Sequence, residues 1–381
     1  MTHTIKRITA IPVSFALPEQ HQVRLGIGRT VKRDAVIIRV ESEQGAVGWG
    51  ESHAARAPGA VAALINQTMA PMIIGGPVDA RDELRDHIFR MQVNSHGMGT
   101  AAVIAYSGID LALWDLWGHL QQRSVSHLLG AERHAIAAYA GGVTLGFGLP
   151  EAVCAEAETY VRQGHRAVKL RIGESTAADG ERLRALRGHL GSDIRIMTDA
   201  NTSLTPDRLR ELLPVLEACE VAWLEEPFPP HAFAAYRQLQ GIGSIPIAAG
   251  ENHYGLHEFE RMLDDGAVEI WQPDLSKTGG LTEALKIARL AAENDITIHP
   301  HTSLTALNMA ASLHFLTAID NAGYFEADKT PFNPLREIDP DVGFEVDGSG
   351  HLAAPSGNGF GVSISEGRLN DFPVIEGAGY V

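Results

Sequence analysis

Three acidic residues close three successive strand-forming segments at one fixed interval. Asp199 ends Ile-Met-Thr-Asp, Glu225 lies in Trp-Leu-Glu-Glu-Pro, and Glu251 in Ile-Ala-Ala-Gly-Glu. Each follows the one before by 26 residues. One βα unit takes about that many, so the interval predicts equivalent heights on neighbouring strands of a (β/α)8 barrel, with the carboxylates at its C-terminal mouth. Three carboxylates brought together repel unless a cation sits between them. Hard oxygen donors in that number, with room left for water and substrate, suit Mg2+. Asp199, Glu225 and Glu251 are therefore the expected metal ligands.

The surrounding texture agrees with a barrel. From about residue 135 the pattern alternates between strand and helix, with strands expected at 135–143, 167–172, 194–201, 222–227, 245–251, 269–275, 297–302 and 323–327. Helical apolar spacing fills segments such as 206–218 and 282–293. Before this lies an α+β region. Residues 4–16 alternate as a strand, 35–41 and 47–51 form a hairpin around Ser-Glu-Gln-Gly, and 60–130 are helical in pattern. Within that stretch, 105–118 is apolar around much of its circumference and is expected to be a buried helix. The tail, rich in Gly, Asp and Ser, is expected to hold a short strand at 360–364 and to pack back on the first domain. The division is thus a 1–130 capping domain, a 131–342 barrel and a 343–381 returning segment.

A chain of 381 residues with 45% apolar content can bury a large core, and 47 acids against 31 bases leave it at −16. That charge disfavours nucleic acid and anionic membranes as partners, but a bound metal can still draw in an anionic substrate. Two widely separated cysteines, Cys154 and Cys219, make no disulfide framework. The first residues lack the apolar run of a signal peptide, and no stretch suits a membrane span, so a cytoplasmic location is expected.

Further candidates sit on the remaining strand ends. Lys169 and Arg171, two apart, share a strand face and point into the barrel, where they would meet the metal site or pair with its carboxylates. Asp274 ends strand six, and His-Pro-His ends strand seven. A carboxylate beside an imidazole fixes its tautomer and raises its basicity, which makes a general base or acid. His301, nearer the mouth, is chosen over the deeper His299. A zinc site on this His-x-His pair is disfavoured by its place on strand seven. Glu326, on strand eight, could donate a hydrogen bond to a developing enolate oxygen. Asn201 could orient a substrate hydroxyl or a metal water. Lys277, in Leu-Ser-Lys-Thr-Gly-Gly, could neutralise a ligand carboxylate or act as a base, while Gly279 and Gly280 permit a tight turn. A mobile loop is expected at about 18–33, with Arg24 as partner for a second substrate carboxylate.

Val-Gly-Trp-Gly-Glu, Gly-Ile-Asp-Leu-Ala-Leu-Trp-Asp and the barrel motifs together resemble the mandelate racemase subgroup of the enolase superfamily over the whole chain. The resemblance implies Mg2+ on Asp199, Glu225 and Glu251, a His301–Asp274 dyad, and a matching role for Glu326. The superfamily's general scheme is a Lys or His base generating an enediolate beside Mg2+. Muconate lactonizing relatives use the lysine at the Lys277 position and an Asp as third ligand, so Glu251 and His301 favour the racemase side. This chain departs from the racemase-like Lys-x-Lys with Lys169-x-Arg171. Arginine stays protonated and makes a poor base but a good anion clamp. A one-dyad reaction is therefore expected: dehydration of an acid sugar to a 2-keto-3-deoxy acid. An isomerase working through the same enediolate is the alternative, and a non-catalytic acid-sugar-binding paralogue a third. Loops near 18–33 and 52–60 are expected to close over the substrate, in a homo-oligomer between dimer and octamer.

Overall fold

A three-stranded antiparallel sheet, Ile5–Ala16, Lys32–Ser42 and Val47–His53, opens the computed structural model, which describes residues 3–302 and 304–381. Ala16 pairs with Lys32 at one end and Glu41 with Val47 at the other. One face of this sheet carries the helix Thr100–Gln121, buried from Ala102 through Leu116. The two glycines of Val-Gly-Trp-Gly-Glu explain the close fit. A Cβ on Gly48 would stand 2.3 Å from the Ala112 carbonyl oxygen, and one on Gly50 would stand 2.3 Å from that of Gly108.

The barrel strands are Ile136–Gly141, Ala167–Arg171, Arg195–Asp199, Leu224–Glu225, Ile247–Ala249, Ile270–Trp271, Thr297–Ile298 and Phe325–Asp328, each parallel to the next. The last pairs with the first, Glu326 opposite Tyr139, and a parallel bridge from Ile298 to Ala322 joins the seventh to the approach of the eighth, closing the ring. Helices such as Pro206–Ala218 and Gly280–Ala292 pack outside. The middle strands are shorter than their sequence patterns because the backbone turns at the mouth. Asn201, Thr202 and Glu226 all take positive φ.

The capping domain docks on the barrel through side chains. Asp110 of the buried helix accepts from the backbone N–H (2.9 Å) and hydroxyl (2.6 Å) of Thr282, capping the start of Gly280–Ala292. Arg85 forms a two-pronged bond to Glu283.

Two expectations are corrected. Residues 360–364 form no strand. The Phe360 N–H is taken by Asp115 Oδ1, and Gly359 exchanges backbone bonds with Arg123 and Val125, so that backbone is already satisfied at a helix end. The tail strand is His351–Leu352, antiparallel to the first barrel strand. Nor is 18–33 a bare loop: it carries a small hairpin, Arg24–Leu25 with Gly28–Arg29, held by backbone bonds between Arg29 and Val381 and from Val31 to Gly379. Among the described residues no helix is long and apolar enough to cross a membrane.

Candidate active site

Lys169 and Arg171 project from a strand buried along its whole length. Alternation puts both on the inner face. Lys169 Nζ lies 2.8 Å from Glu225 Oε1, 2.9 Å from Glu326 Oε1 and 3.5 Å from Asp199 Oδ2. Arg171 donates to Asp199, to the Gly142 carbonyl and, at 3.3 Å, to Asn201 Oδ1. Burial works against both charges, but the carboxylates outweigh it: Glu225 and Glu326 hold Lys169 firmly protonated, and Asp199 does the same for Arg171.

On the opposite wall, strands six and seven supply the dyad. His301 Nδ1 is 2.8 Å from Asp274 Oδ2. The other Asp274 oxygen accepts from the N–H and hydroxyl of Ser276, both at 2.7 Å, and from Asn308 Nδ2 at 3.1 Å. These donors lock the carboxylate, which locks the ring. Burial would raise the Asp274 carboxyl, but His301 and Lys277 hold it down at about 2. Burial would lower His301, yet Glu251 and Asp274 push it well above the ordinary imidazole range. Its Nε2 is turned to Glu251 Oε2 at 2.8 Å, and Lys277 Nζ stands 3.7 Å from the other Glu251 oxygen. Asn252 Nδ2 bridges Glu251 Oε1 (3.1 Å) to both oxygens of Glu226 (3.0 and 2.9 Å).

Six carboxylates, Asp199, Glu225, Glu226, Glu251, Asp274 and Glu326, thus crowd the barrel mouth around three permanent cations, Lys169, Arg171 and Lys277, all of them buried but the partly exposed Glu251. The shortage of positive charge shows in the acids. Burial, reinforced by the neighbouring carboxylates, pushes Glu225 up to about 7 and Glu226 well above the carboxylate range. Among the described residues no three acid or imidazole side chains converge on one point as they stand, because their oxygens are turned onto Lys169, Arg171, Asn252 and His301. The donor set is nonetheless all oxygen, strongly anionic and presented from three adjacent strands, which fits a hard divalent cation such as Mg2+.

A cavity of about 380 Å3 opens above this network. Of the residues expected from sequence, Arg171, Asn201, Glu251, Lys277 and His301 line it. Asp199, Glu225, Lys169 and Asp274 lie just beneath, held in the contacts above. Glu326 differs from its expected role as a hydrogen-bond donor. It is fully buried, accepts from Lys169 and the Gly142 N–H, and is held at about 2 because Lys169, His301 and Arg171 outweigh its burial. It therefore stands as an ionised acceptor. Arg24, expected to meet a second substrate carboxylate, is exposed and does not line the cavity, whereas its neighbour Leu25 does. Strand pairing in the hairpin turns alternate side chains to opposite faces, and Arg24 takes the outer one.

Sequence reading missed Glu226, Asn252, Tyr254 and the capping-domain side chains His53, Arg33 and Arg56, all on the cavity wall. Glu226 had a signal in Glu-Glu-Pro, since a residue turning at a strand end reaches the mouth beside its neighbour. Arg33 and Arg56 fall within the loops expected to close over the substrate, but nothing in the sequence singled out these two side chains, because only tertiary docking brings them over the barrel.

Comparison with known proteins follows the same lines. Residues 152–368 match a family described as enolase C-terminal domain-like. Residues 8–130 match the mandelate racemase / muconate lactonizing enzyme N-terminal domain. A D-galactarolactone cycloisomerase from Agrobacterium fabrum is 31% identical over 90% of this chain and 92% of its own. An arabinonate dehydratase from Saccharolobus solfataricus is 30% identical over 89% of this chain and 90% of its own. The crystal structure of an enolase-superfamily member from Polaromonas sp. JS666 matches with a TM-score of 0.97 at 46% identity, covering 99% of this chain and all 100% of that one. A racemase from Streptomyces coelicolor A3(2) with bound magnesium matches at TM-score 0.87 and 25% identity, covering 97% and 100%.

Proposed function

This chain belongs to the mandelate racemase and muconate lactonizing enzyme family of the enolase superfamily, and we propose that it eliminates a β-oxygen substituent from an acid sugar by way of an enediolate. The observation that carries this reading is the His301–Asp274 pair at 2.8 Å, facing Lys169 and Arg171 across a mouth ringed by acids. Mg2+ held by Asp199, Glu225 and Glu251 would supply Lewis-acid charge to a substrate carboxylate oxygen. Lys169 lies beside the same acids, placed to add a hydrogen-bonded positive charge where the second enediolate oxygen develops. With Nδ1 fixed on Asp274, His301 would work through Nε2, which rests on Glu251 Oε2 at 2.8 Å and would be released to substrate when Glu251 turns to the metal. In its neutral form it takes the α-proton. The C–H electron pair becomes the enediolate double bond, and that bond then collapses as the Cβ–O bond breaks. The proton held on Nε2 passes to the departing oxygen.

If the departing group is a hydroxyl, water leaves and the enol tautomerises to a 2-keto-3-deoxy acid. This is our first reading, and the arabinonate dehydratase relative supports it. If the departing oxygen belongs to a lactone or anhydro ring, the product is an isomer. The D-galactarolactone cycloisomerase relative supports that second reading. The test is a panel of acid sugars and their lactones, incubated with protein and Mg2+ and read by keto-acid trapping and product mass. EDTA is expected to abolish turnover and added Mg2+ to restore it. Full turnover in metal-free buffer, or none with any member of the panel, would refute the proposal.

A further inference from the structure

We propose that the substrate is a dicarboxylate, its second carboxylate received by Arg33 and Arg56 on the capping-domain wall of the cavity. The inference rests on the acid-sugar reading and narrows it. Both arginines line the cavity. In a chain with sixteen more acids than bases, a surface arginine commonly finds a carboxylate. These two do not: among the described residues no ion pair within 4.0 Å includes either of them. The adjacent Lys32, by contrast, is spent on Asp34 at 3.0 Å and on the Ile375 carbonyl.

Arg33 is half-buried and uses one N–H on Thr330 Oγ1 at 3.2 Å, leaving the rest of its fork free. Thr330 in turn donates to the buried Asp328, so that acid reaches Arg33 only through the hydroxyl, and burial pushes the carboxyl of Glu51, whose field Arg33 also feels, up to about 8. Arg56 is held by geometry of its own. Ala55 and Arg56 take φ of 48° and 59°, a left-handed pair without glycine. Such strain persists where surrounding structure enforces it, and it gathers at ligand clamps. The Arg56 guanidinium lies over the Tyr380 ring, 5.0 Å from its centre, and Tyr380 itself lines the cavity. A guanidinium set over a ring and a half-free fork on the same cavity wall suit a carboxylate, which takes two parallel N–H bonds. The barrel end of the cavity already handles one carboxylate, so an acid sugar oxidised at both ends places a charge at each pole.

The test uses hexarates and hexonates of matched configuration, which differ only in the terminal carboxylate or CH2OH. Binding is measured by calorimetry with Mg2+ on the His301→Asn variant, and kcat/KM on the wild type. Hexarates are expected to bind about 10- to 100-fold more tightly than hexonates. Arg33→Met and Arg56→Met are each expected to cut that ratio by roughly tenfold, with unchanged Tm. Equal binding of both classes, preference for hexonates, or variants that weaken both alike would overturn the proposal. Two further results separate it from the reading beneath it. Faster turnover of hexonates keeps the chemistry and refutes the second carboxylate. Arginine-dependent binding of hexarates without any α-proton exchange keeps the second carboxylate and refutes the chemistry.

Discussion

His299 and His301 share one strand end, two residues apart, and live in opposite electrostatic surroundings. His301 lines the cavity between two carboxylates, which hold it well above the ordinary range against its burial. His299 lies in the barrel interior between Trp223 and Tyr324, its Nδ1 accepting from the Tyr324 N–H at 2.8 Å. Burial alone takes it down to about 3, so it is neutral at any working pH. The two substitutions should therefore separate. His301→Asn is expected to lower kcat by at least ~10² with little change in Tm. His299→Asn is expected to cost about 1–3 kcal/mol of stability, read by denaturant unfolding, with kcat within a few-fold of wild type. The reverse pattern would show that the base had been misassigned. The difference in depth between these histidines was legible in sequence because position along a strand fixes depth. Glu226 and Asn252 were harder to see, because their aim depends on backbone turns rather than on strand alternation.

The element that ties the two domains is the start of helix Gly280–Ala292. Gly279 and Gly280 have φ of 111° and 84°, and a Cβ on Gly280 would stand 2.4 Å from Asp110 Oδ2. The glycine pair was readable in sequence as a tight strand-to-helix turn. Its reason, room for an aspartate from another domain, was not, since Asp110 lies far away in the chain. The same contrast holds for the fold. Alternation and the 26-residue interval placed all eight barrel strands, whereas the tail strand at 360–364 failed because the partners for that backbone come from Asp115, Arg123 and Val125. Asp110 also carries a pH signature. Burial pushes its carboxyl up to about 6, above the ~3.9 of an unfolded chain. The folded state therefore binds this proton more tightly, and the stability it contributes is fully present below about pH 4 and is lost as pH rises through 6. Asp110→Asn keeps an acceptor for the Thr282 N–H and removes the titration. It is expected to flatten that part of the stability-against-pH curve and to be at least as stable as wild type at pH 7. Asp110→Ala leaves the helix start uncapped and is expected to cost ~1–3 kcal/mol below about pH 4 and less as pH rises through 6. Parallel pH curves for wild type and Asp110→Asn would count against this account.

At the scale of the whole molecule, the question is how many faces of the substrate can exchange a proton. The barrel sets Lys169 and Arg171 on one wall and His301 on the other, so a substrate bound as proposed would offer its α-carbon to both. A racemase-like lysine at position 171 could lose its proton and act as a second base. Arg171 does not: Asp199, Glu326 and Glu225 raise it further above its already high range despite burial, and its fork is committed to Asp199, Asn201 and the Gly142 carbonyl. Lys169 is held protonated by Glu225 and Glu326 and serves as a fixed charge. Deuterium from solvent should then enter the α-carbon from the His301 side alone. With wild-type protein, Mg2+ and an acid-sugar substrate in D2O, recovered substrate is expected to carry α-deuterium with retained configuration by NMR, and His301→Asn to abolish the exchange. Epimerised substrate would mean that a second base works opposite the dyad, and a racemase or epimerase would replace the elimination. Arg171→Lys is the converse test. It restores a group that can lose a proton at that position, and if the cation there is what enforces one-sidedness, a small epimerised fraction should appear that wild type does not produce.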